Sequence, residues 1–321
     1  MTYRFKLNER IGEGVSRIGL EQLEIAATRL ASREDIPAAI HDARRCLKRL
    51  RALLRLIRPA LAETTYRREA DRLTGIGRLL SGARDLFVMR QTLGRLESRF
   101  GPLPEGAGER LDGLLARGLA GDRGPVAGAR RKALERLARA RAFFEGKAAR
   151  RVGLEHLAAG LEATYRRGRK AFHQAYLADT DEAFHAWRKR VQVHWRHMAL
   201  LSRGWPEALS ARAGEARELS RLLGEDHDYA VLRAAAVERA AGVLSEPQIA
   251  LLAERCQTCQ LELRAQARPR GERLFAESPD DLRARVATYW TSACALAELA
   301  PAPAPAEGER AAADPARRRR R

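Results

Sequence analysis

The 321-residue chain carries 60 Lys and Arg against 41 Asp and Glu, a formal net charge of +19, and 45% of its residues are hydrophobic. That hydrophobic fraction excludes a globally disordered chain, and no apolar run is long enough for a membrane span. The length suits one large domain or two of roughly 150 residues each, and scarce aromatics beside abundant Leu, Ala and Arg favour helices over sheets.

Only six of the cations are lysine, so the excess is arginine, whose planar fork matches phosphate oxygens. Cys46, Cys256, Cys259 and Cys294 make no disulfide framework for a chain this long. Cys256-Gln257-Thr258-Cys259 is a lone C-x-x-C without a second pair and reads as helix packing, so no metal site and no cofactor is expected. The N-terminus lacks an apolar signal region. The expectation is a soluble, cytoplasmic protein without membrane contact.

From Val15 onward the pattern is helical almost throughout, with about ten to twelve helices joined mostly as antiparallel neighbours. Breakers mark the joints: Pro37, Pro59, Gly101 to Pro104, Gly124-Pro125, Gly204 to Pro206, Pro247, Pro269 and Pro279. The first conspicuous helix opens at His41. With roughly 100° per residue, Arg44, Arg45, Lys48, Arg51 and Arg55 fall in one arc around His41. Ala43, Cys46, Leu47, Leu50, Leu53, Leu54 and Ile57 fill the opposite arc. The basic arc holds no acid, whereas a merely solvated face usually mixes signs, because like charges at i,i+4 cost stability.

A second basic stretch, Tyr165-Arg166-Arg167-Gly168-Arg169-Lys170-Ala171-Phe172-His173, can bring Arg166, Arg169 and His173 to one face. Gly168 in a helix costs about 1 kcal/mol relative to Ala and reads as close approach of a helix or a ligand. In the third, His185, Arg188, Lys189, Gln192 and Arg196 share a face, with Trp195 at its edge. Phe184, Trp187, Val191, Met198 and Leu201 lie broadly opposite, and His194 and His197 project toward that packing side.

The chain repeats itself. His41-x-x-Arg44-Arg45 recurs as His185-x-x-Arg188-Lys189, 144 residues later. Each is followed by a Leu-Leu turn and an aspartate: Leu79-Leu80 with Asp85, and Leu222-Leu223 with Asp228. This order implies a duplicated helical unit with a boundary near residues 146–152. The domain reading is an N-terminal bundle over 5–148, a C-terminal bundle over 149–298, and a disordered Pro/Ala/Arg tail over 299–321.

At His41-x-x-Arg44-Arg45-x-x-Lys48-Arg49-x-Arg51, Gly82-Ala83-Arg84-Asp85, Tyr165-Arg166-Arg167-Gly168-Arg169, His185-Ala186-Trp187-Arg188-Lys189-Arg190 and Leu223-Gly224-Glu225-Asp226-His227-Asp228 the sequence resembles the CHAD family, the conserved-histidine α-helical domain. The resemblance spans roughly residues 5–298. It implies an all-α fold of two four-helix bundles related by internal duplication and pseudo-twofold symmetry. It also implies non-catalytic binding of inorganic polyphosphate in a basic groove or pore between them, and association with polyphosphate granules. Some members are fused to a CYTH triphosphatase, whose E-x-E-x-K signature is absent here. Carried over by motif, the implied contacts are His41, Arg44, Arg45, Lys48, Arg51, Arg84, Arg166, Arg169, His185, Arg188 and Lys189. Arg49, Arg55, His173, Arg196 and His227, from the same stretches, complete the expected set. Gln192 departs from the pattern, since a basic residue is expected there by analogy with Lys48.

Two other classes compete. A basic chain attracts nucleic acid as a non-specific polyanion, yet the aromatics, Trp195 apart, do not interleave with the basic faces. Asp226, His227 and Asp228 together suggest a metal-dependent phosphohydrolase, but the basic faces lack carboxylates to hold Mg²⁺, and Asp85 and Asp228 read as helix caps. Phosphate favours imidazolium, so binding is expected to be tighter near pH 6 than near pH 8.

Overall fold

A computed structural model describes residues 3–32, 34–80, 82–121, 123–240 and 242–299, without the side chains of 82–85, 119–121, 123–126 and 239. The side chains of Arg84 and Asp85, and the terminal tail from residue 300, lie outside what it describes. Among the described residues there are twelve α-helices and no strand, so the fold is all-α. In chain order they are α1 (Ile11–Ala31), α2 (Ile36–Leu56), α3 (Glu63–Leu79), α4 (Gly82–Phe100), α5 (Ala107–Gly121), α6 (Arg123–Glu145) and the single turn α7 (Lys147–Arg150). The second half holds α8 (Leu154–Ala178), α9 (Asp181–Leu201), α10 (Pro206–Arg239), α11 (Glu246–Leu274) and α12 (Pro279–Leu299).

The prolines mostly start helices, where a missing N–H costs nothing: Pro37, Pro206 and Pro247 each sit in a first turn. The two basic helices are capped by side chains. Asp35 accepts from the Ala38 N–H at 3.1 Å to open α2, and Thr180 accepts from the Ala183 N–H at 3.3 Å to open α9.

Two sequence expectations fail. Pro269 does not end α11, which continues to Leu274; Ala267, Gly271 and Leu274 are buried there, and their packing holds the turns on both sides of the proline. Nor is Leu222 to Asp228 a turn. It lies inside the single 34-residue helix α10, so Asp228 caps nothing. One mid-helix glycine costs about 1 kcal/mol, which burial of Leu222, Leu223, Tyr229 and Leu232 readily outweighs.

In the first half α1, α2, α3 and α6 close a ring, each packing on its two neighbours. In the second, α8, α9, α10 and α11 pack in series and α12 covers α8. The α4–α5 hairpin leaves its own half and packs through α4 on α10 and α11. There Met89, Leu93, Leu96, Leu111 and Leu115 meet Tyr229, Leu232, Ala236, Leu252, Cys256 and Cys259 in a second core, so the C-x-x-C pair is packing. The main core runs unbroken past residue 149, from Phe5, Ile18 and Leu50 to Leu161, Trp187 and Leu219.

The halves are joined where α2 meets α8 and α9. A Cβ on Gly160 would lie 1.8 Å from the Leu56 carbonyl oxygen, so only glycine allows this approach. Nearby, His197 Nε2 lies 2.9 Å from the Ala52 carbonyl, and its Nδ1 lies 3.1 Å from Thr164 Oγ1. Gly160→Ala should therefore lower stability by roughly 1–3 kcal/mol, since the obstacle is backbone that must shift. Urea denaturation checks this; an unchanged midpoint would show that the crossing tolerates a side chain.

Candidate anion-binding site

Helix α2 buries Ala43, Cys46, Leu47, Leu50, Leu53 and Leu54, which turns its cations outward in two directions. Arg45 and Arg49 turn toward α1. Arg45 pairs with Asp42 at 3.1 Å, and Asp42 also holds Arg29 of α1 at 3.3 Å. Arg49 donates to Gln22 Oε1 at 3.2 Å and sits 5.2 Å from the Tyr3 ring. The basic arc expected to be free of acid thus has Asp42 of α2 at its edge, where that carboxylate is shared by Arg45 and by Arg29 of α1.

Arg44 has a structural duty. Its guanidinium donates to the carbonyls of Gly77 at 3.1 Å and Leu80 at 3.0 Å, neutralising the C-terminal end of α3. Lys48, Arg51 and Arg55 are half-buried and His41 is exposed. Burial, then Arg55 and Arg44, pull the Arg51 pKa down to about 10. Burial lowers Arg55 as well, with Arg167 of α8 adding to the effect and Tyr66 opposing it.

Arg196 of α9 is buried rather than displayed on an open face. It donates to the Gln192 carbonyl at 2.5 Å and lies over the Trp195 ring at 4.2 Å. Burial takes its pKa to about 10; Tyr3 raises it, while Arg49, Arg51 and Arg55 of α2 lower it further. The guanidiniums of α2 and α9 therefore crowd one another across the join between the halves.

Toward the N-terminal end of α9 the cations gather around two imidazoles. The rings of His185 and His227 stack at 4.0 Å, with Arg188 and Lys189 acting on both. The Arg188 guanidinium lies beside Gly224 of α10, where a Cβ would meet its nitrogens at an ordinary contact distance of 3.7 Å. His185 Nδ1 is buried and meets no hydrogen-bond partner among the described residues. The neighbours of His227 do not form an acid cluster with it. Asp226 turns inward to Arg264 at 2.8 Å, and Asp228 faces Arg95 at 3.6 Å. Among the described residues no three His, Cys, Asp or Glu side chains converge as a metal site.

On α8 the expected contacts disperse. Arg166 pairs with Glu162 at 2.5 Å and lies 3.8 Å from Asp280 of α12. Arg169 is half-buried, and His173 is exposed with its ring against Phe172. The α8 residue that faces the α2 cations is Arg167, which sequence pattern did not single out, and Arg190 of α9 joins it. The signal for both was Gly168. A Cβ there would be 2.8 Å from the Phe275 ring and 3.7 Å from Arg190 Cβ, so the glycine serves helix approach and not a ligand.

His194 and His197 are buried, as their side of the wheel implied. Burial, before any neighbouring charge, holds His197 and His185 at about 4 and His227 at about 3, and pushes His194 well below its ordinary value. In the unfolded chain these rings titrate near pH 6.5. A base whose pKa falls on folding excludes protons that the unfolded state takes up, so stability is lost as pH drops from about 6.5 toward 4. His197→Gln should flatten part of that slope and cost about 1–2 kcal/mol at neutral pH. Urea midpoints at several pH values test this; identical slopes for variant and wild type would contradict it.

The CHAD domain family model matches residues 18–237. That is more than half the chain, and it includes α2, α9 and the His185–His227 pair. No curated protein matches the sequence. By the extent of that match, and with the basic helices inside it, the chain belongs to the CHAD domain family.

Proposed function

We propose that this chain binds inorganic polyphosphate, without catalysis, along a basic groove where the duplicated faces of α2 and α9 approach each other, and that it acts at polyphosphate granules. The observation that carries the reading is the crowding of Arg51, Arg55 and Arg196, whose pKa values are lowered by burial and by other arginines. Gathering like charges in a poorly solvated place costs native stability, and a polyanion bound there offsets the cost. A flexible chain with about one negative charge per phosphate suits several moderate contacts better than one deep pocket, and its affinity falls steeply with salt. His41, Lys48, His185, Arg188, Lys189 and His227 extend the groove along both helices.

His185 and His227 enter this reading as neutral hydrogen-bonding rings. Because they are held at about 4 and about 3, this pair's contribution to affinity should change little between about pH 6 and pH 8 and rise only in more acidic solution. This replaces the expectation of tighter binding near pH 6. Among described residues, no helix is long and apolar enough to cross a membrane.

The nucleic-acid reading is less favoured for a specific reason. Trp195, the aromatic at the edge of the α9 face, already has Arg196 over its ring and offers that face to no base. Titration with long-chain polyphosphate at moderate salt tests the proposal. Lys48→Glu/Lys189→Glu should bind at least roughly tenfold more weakly with its circular dichroism unchanged. Arg44 is unsuited to this test because it caps α3. Displacement of polyphosphate by double-stranded DNA at equal phosphate concentration would favour general polyanion binding instead.

A further inference from the structure

The segment before α1 closes a cavity of about 450 Å³ against α1, the joint between α9 and α10, and the last turn of α12. The segment is firmly placed. The Phe5 N–H donates to the Leu200 carbonyl at 3.0 Å, and the Phe5 ring packs edge-on against Trp290 at 6.3 Å. Gly14 admits that ring, because a Cβ there would lie 2.6 Å from it. Arg17 of α1 donates to the Arg4 carbonyl at 2.9 Å and grips Glu9 through two nitrogens, at 2.8 and 2.6 Å. Glu9 and Arg17 thereby neutralise each other. Arg4, Lys6 and Arg203 also line the cavity, and among the described residues none of the three is in a salt bridge. Glu21 of α1 brings a carboxylate into the same wall. Its Oε1 lies 3.4 Å from Arg17, and its Oε2 is buried without a hydrogen-bond partner among the described residues. Leu7 and Ala297 add apolar surface.

We propose that this cavity binds a small phosphate monoester that carries hydroxyl groups. The phosphate dianion lies among Arg4, Lys6 and Arg203, and a ligand hydroxyl donates to Glu21 Oε2. Two forked guanidiniums and an ammonium left uncompensated by the protein match a dianion through charge-assisted hydrogen bonds. The volume falls within the range of roughly 300–1,000 Å³ usual for small-molecule sites. A buried carboxylate oxygen without a donor costs stability, and a ligand lacking a hydroxyl leaves that cost in place. The same carboxylate repels a ligand that is anionic along its whole length, which disfavours a stretch of polyphosphate here. No lining residue comes from α2 or α9, so the inference stands apart from the polyphosphate reading.

Isothermal titration calorimetry tests this with glycerol 3-phosphate and with ethyl phosphate, which has the same charge and no hydroxyl. Wild-type protein should bind glycerol 3-phosphate roughly tenfold more tightly than ethyl phosphate, the worth of one hydrogen bond to a charged group. That comparison does not depend on how any variant folds. Glu21→Gln should remove most of the preference while ethyl phosphate binds at least as well, because a repelling charge is gone. Lys6→Gln/Arg203→Gln removes two exposed cations and should weaken both ligands at least roughly tenfold, with circular dichroism unchanged. Lys48→Glu/Lys189→Glu, on α2 and α9, should leave both affinities nearly unchanged. Wild-type protein that does not bind glycerol 3-phosphate, equal affinities for the two ligands, or a preference that survives Glu21→Gln would each overturn the inference. So would a loss that appears in the α2–α9 variant and not in Lys6→Gln/Arg203→Gln.

Discussion

Where α2 passes α8, the Leu56 carbonyl fills the space that any side chain at position 160 would need. The contact has no chemistry of its own, yet the arginines of α2 and α9 are arranged around it. It sets the C-terminal half of α2 against α8 and α9, and the His197 bridge from Ala52 to Thr164 holds that position. The backbones cannot separate without breaking this bridge and opening the core around Leu53, Leu161 and Trp187. Arg51, Arg55 and Arg196 are therefore held together although their charges repel. Packing of apolar surface is strong enough to impose this arrangement, and under the proposed reading a bound polyanion would relieve it.

The surrounding side chains sort the cations by task. Arg44 is committed to the end of α3 and Arg49 to Gln22 of α1, while Arg45 and Arg166 pair within their own helices with Asp42 and Glu162. Arg264 is committed most fully, buried with Asp226 and Asp181 over the Phe184 ring. Arg44, Arg49 and Arg264 thus hold helices to one another. The group crowded by its own kind, including Arg51, Arg55, Arg167, Arg190 and Arg196, is a minority of a strongly basic chain. Net positive charge attracts polyanions in general, and in the proposed reading this crowded group is where one would lie.

Much of this was legible in the string. Helical periodicity gave the all-α class, the apolar and basic sides of α2 and α9 were separable on a wheel, and the inward placement of His194 and His197 followed from the same geometry. What the wheel could not supply was the neighbour. α1 brings Arg29 to Asp42, and Arg167 of α8 acts on Arg190 of α9. Local breaker rules also misled. Pro269 and Gly224 both sit inside helices, because burial on either side is worth more than a lost hydrogen bond or a glycine's entropy. Imidazoles beside bound phosphate are expected to take up protons near pH 6, but burial holds His185 at about 4 and His227 at about 3.

If the polyanion lies along the join between α2 and α9, the structure of the protein crystallised with long-chain polyphosphate should show it most directly. Continuous phosphate density is expected along α2 and α9, within hydrogen-bonding reach of Arg51, Lys189 and the His185–His227 pair. Density confined to the α1 side of α2, at Arg45 and Arg29, would contradict it.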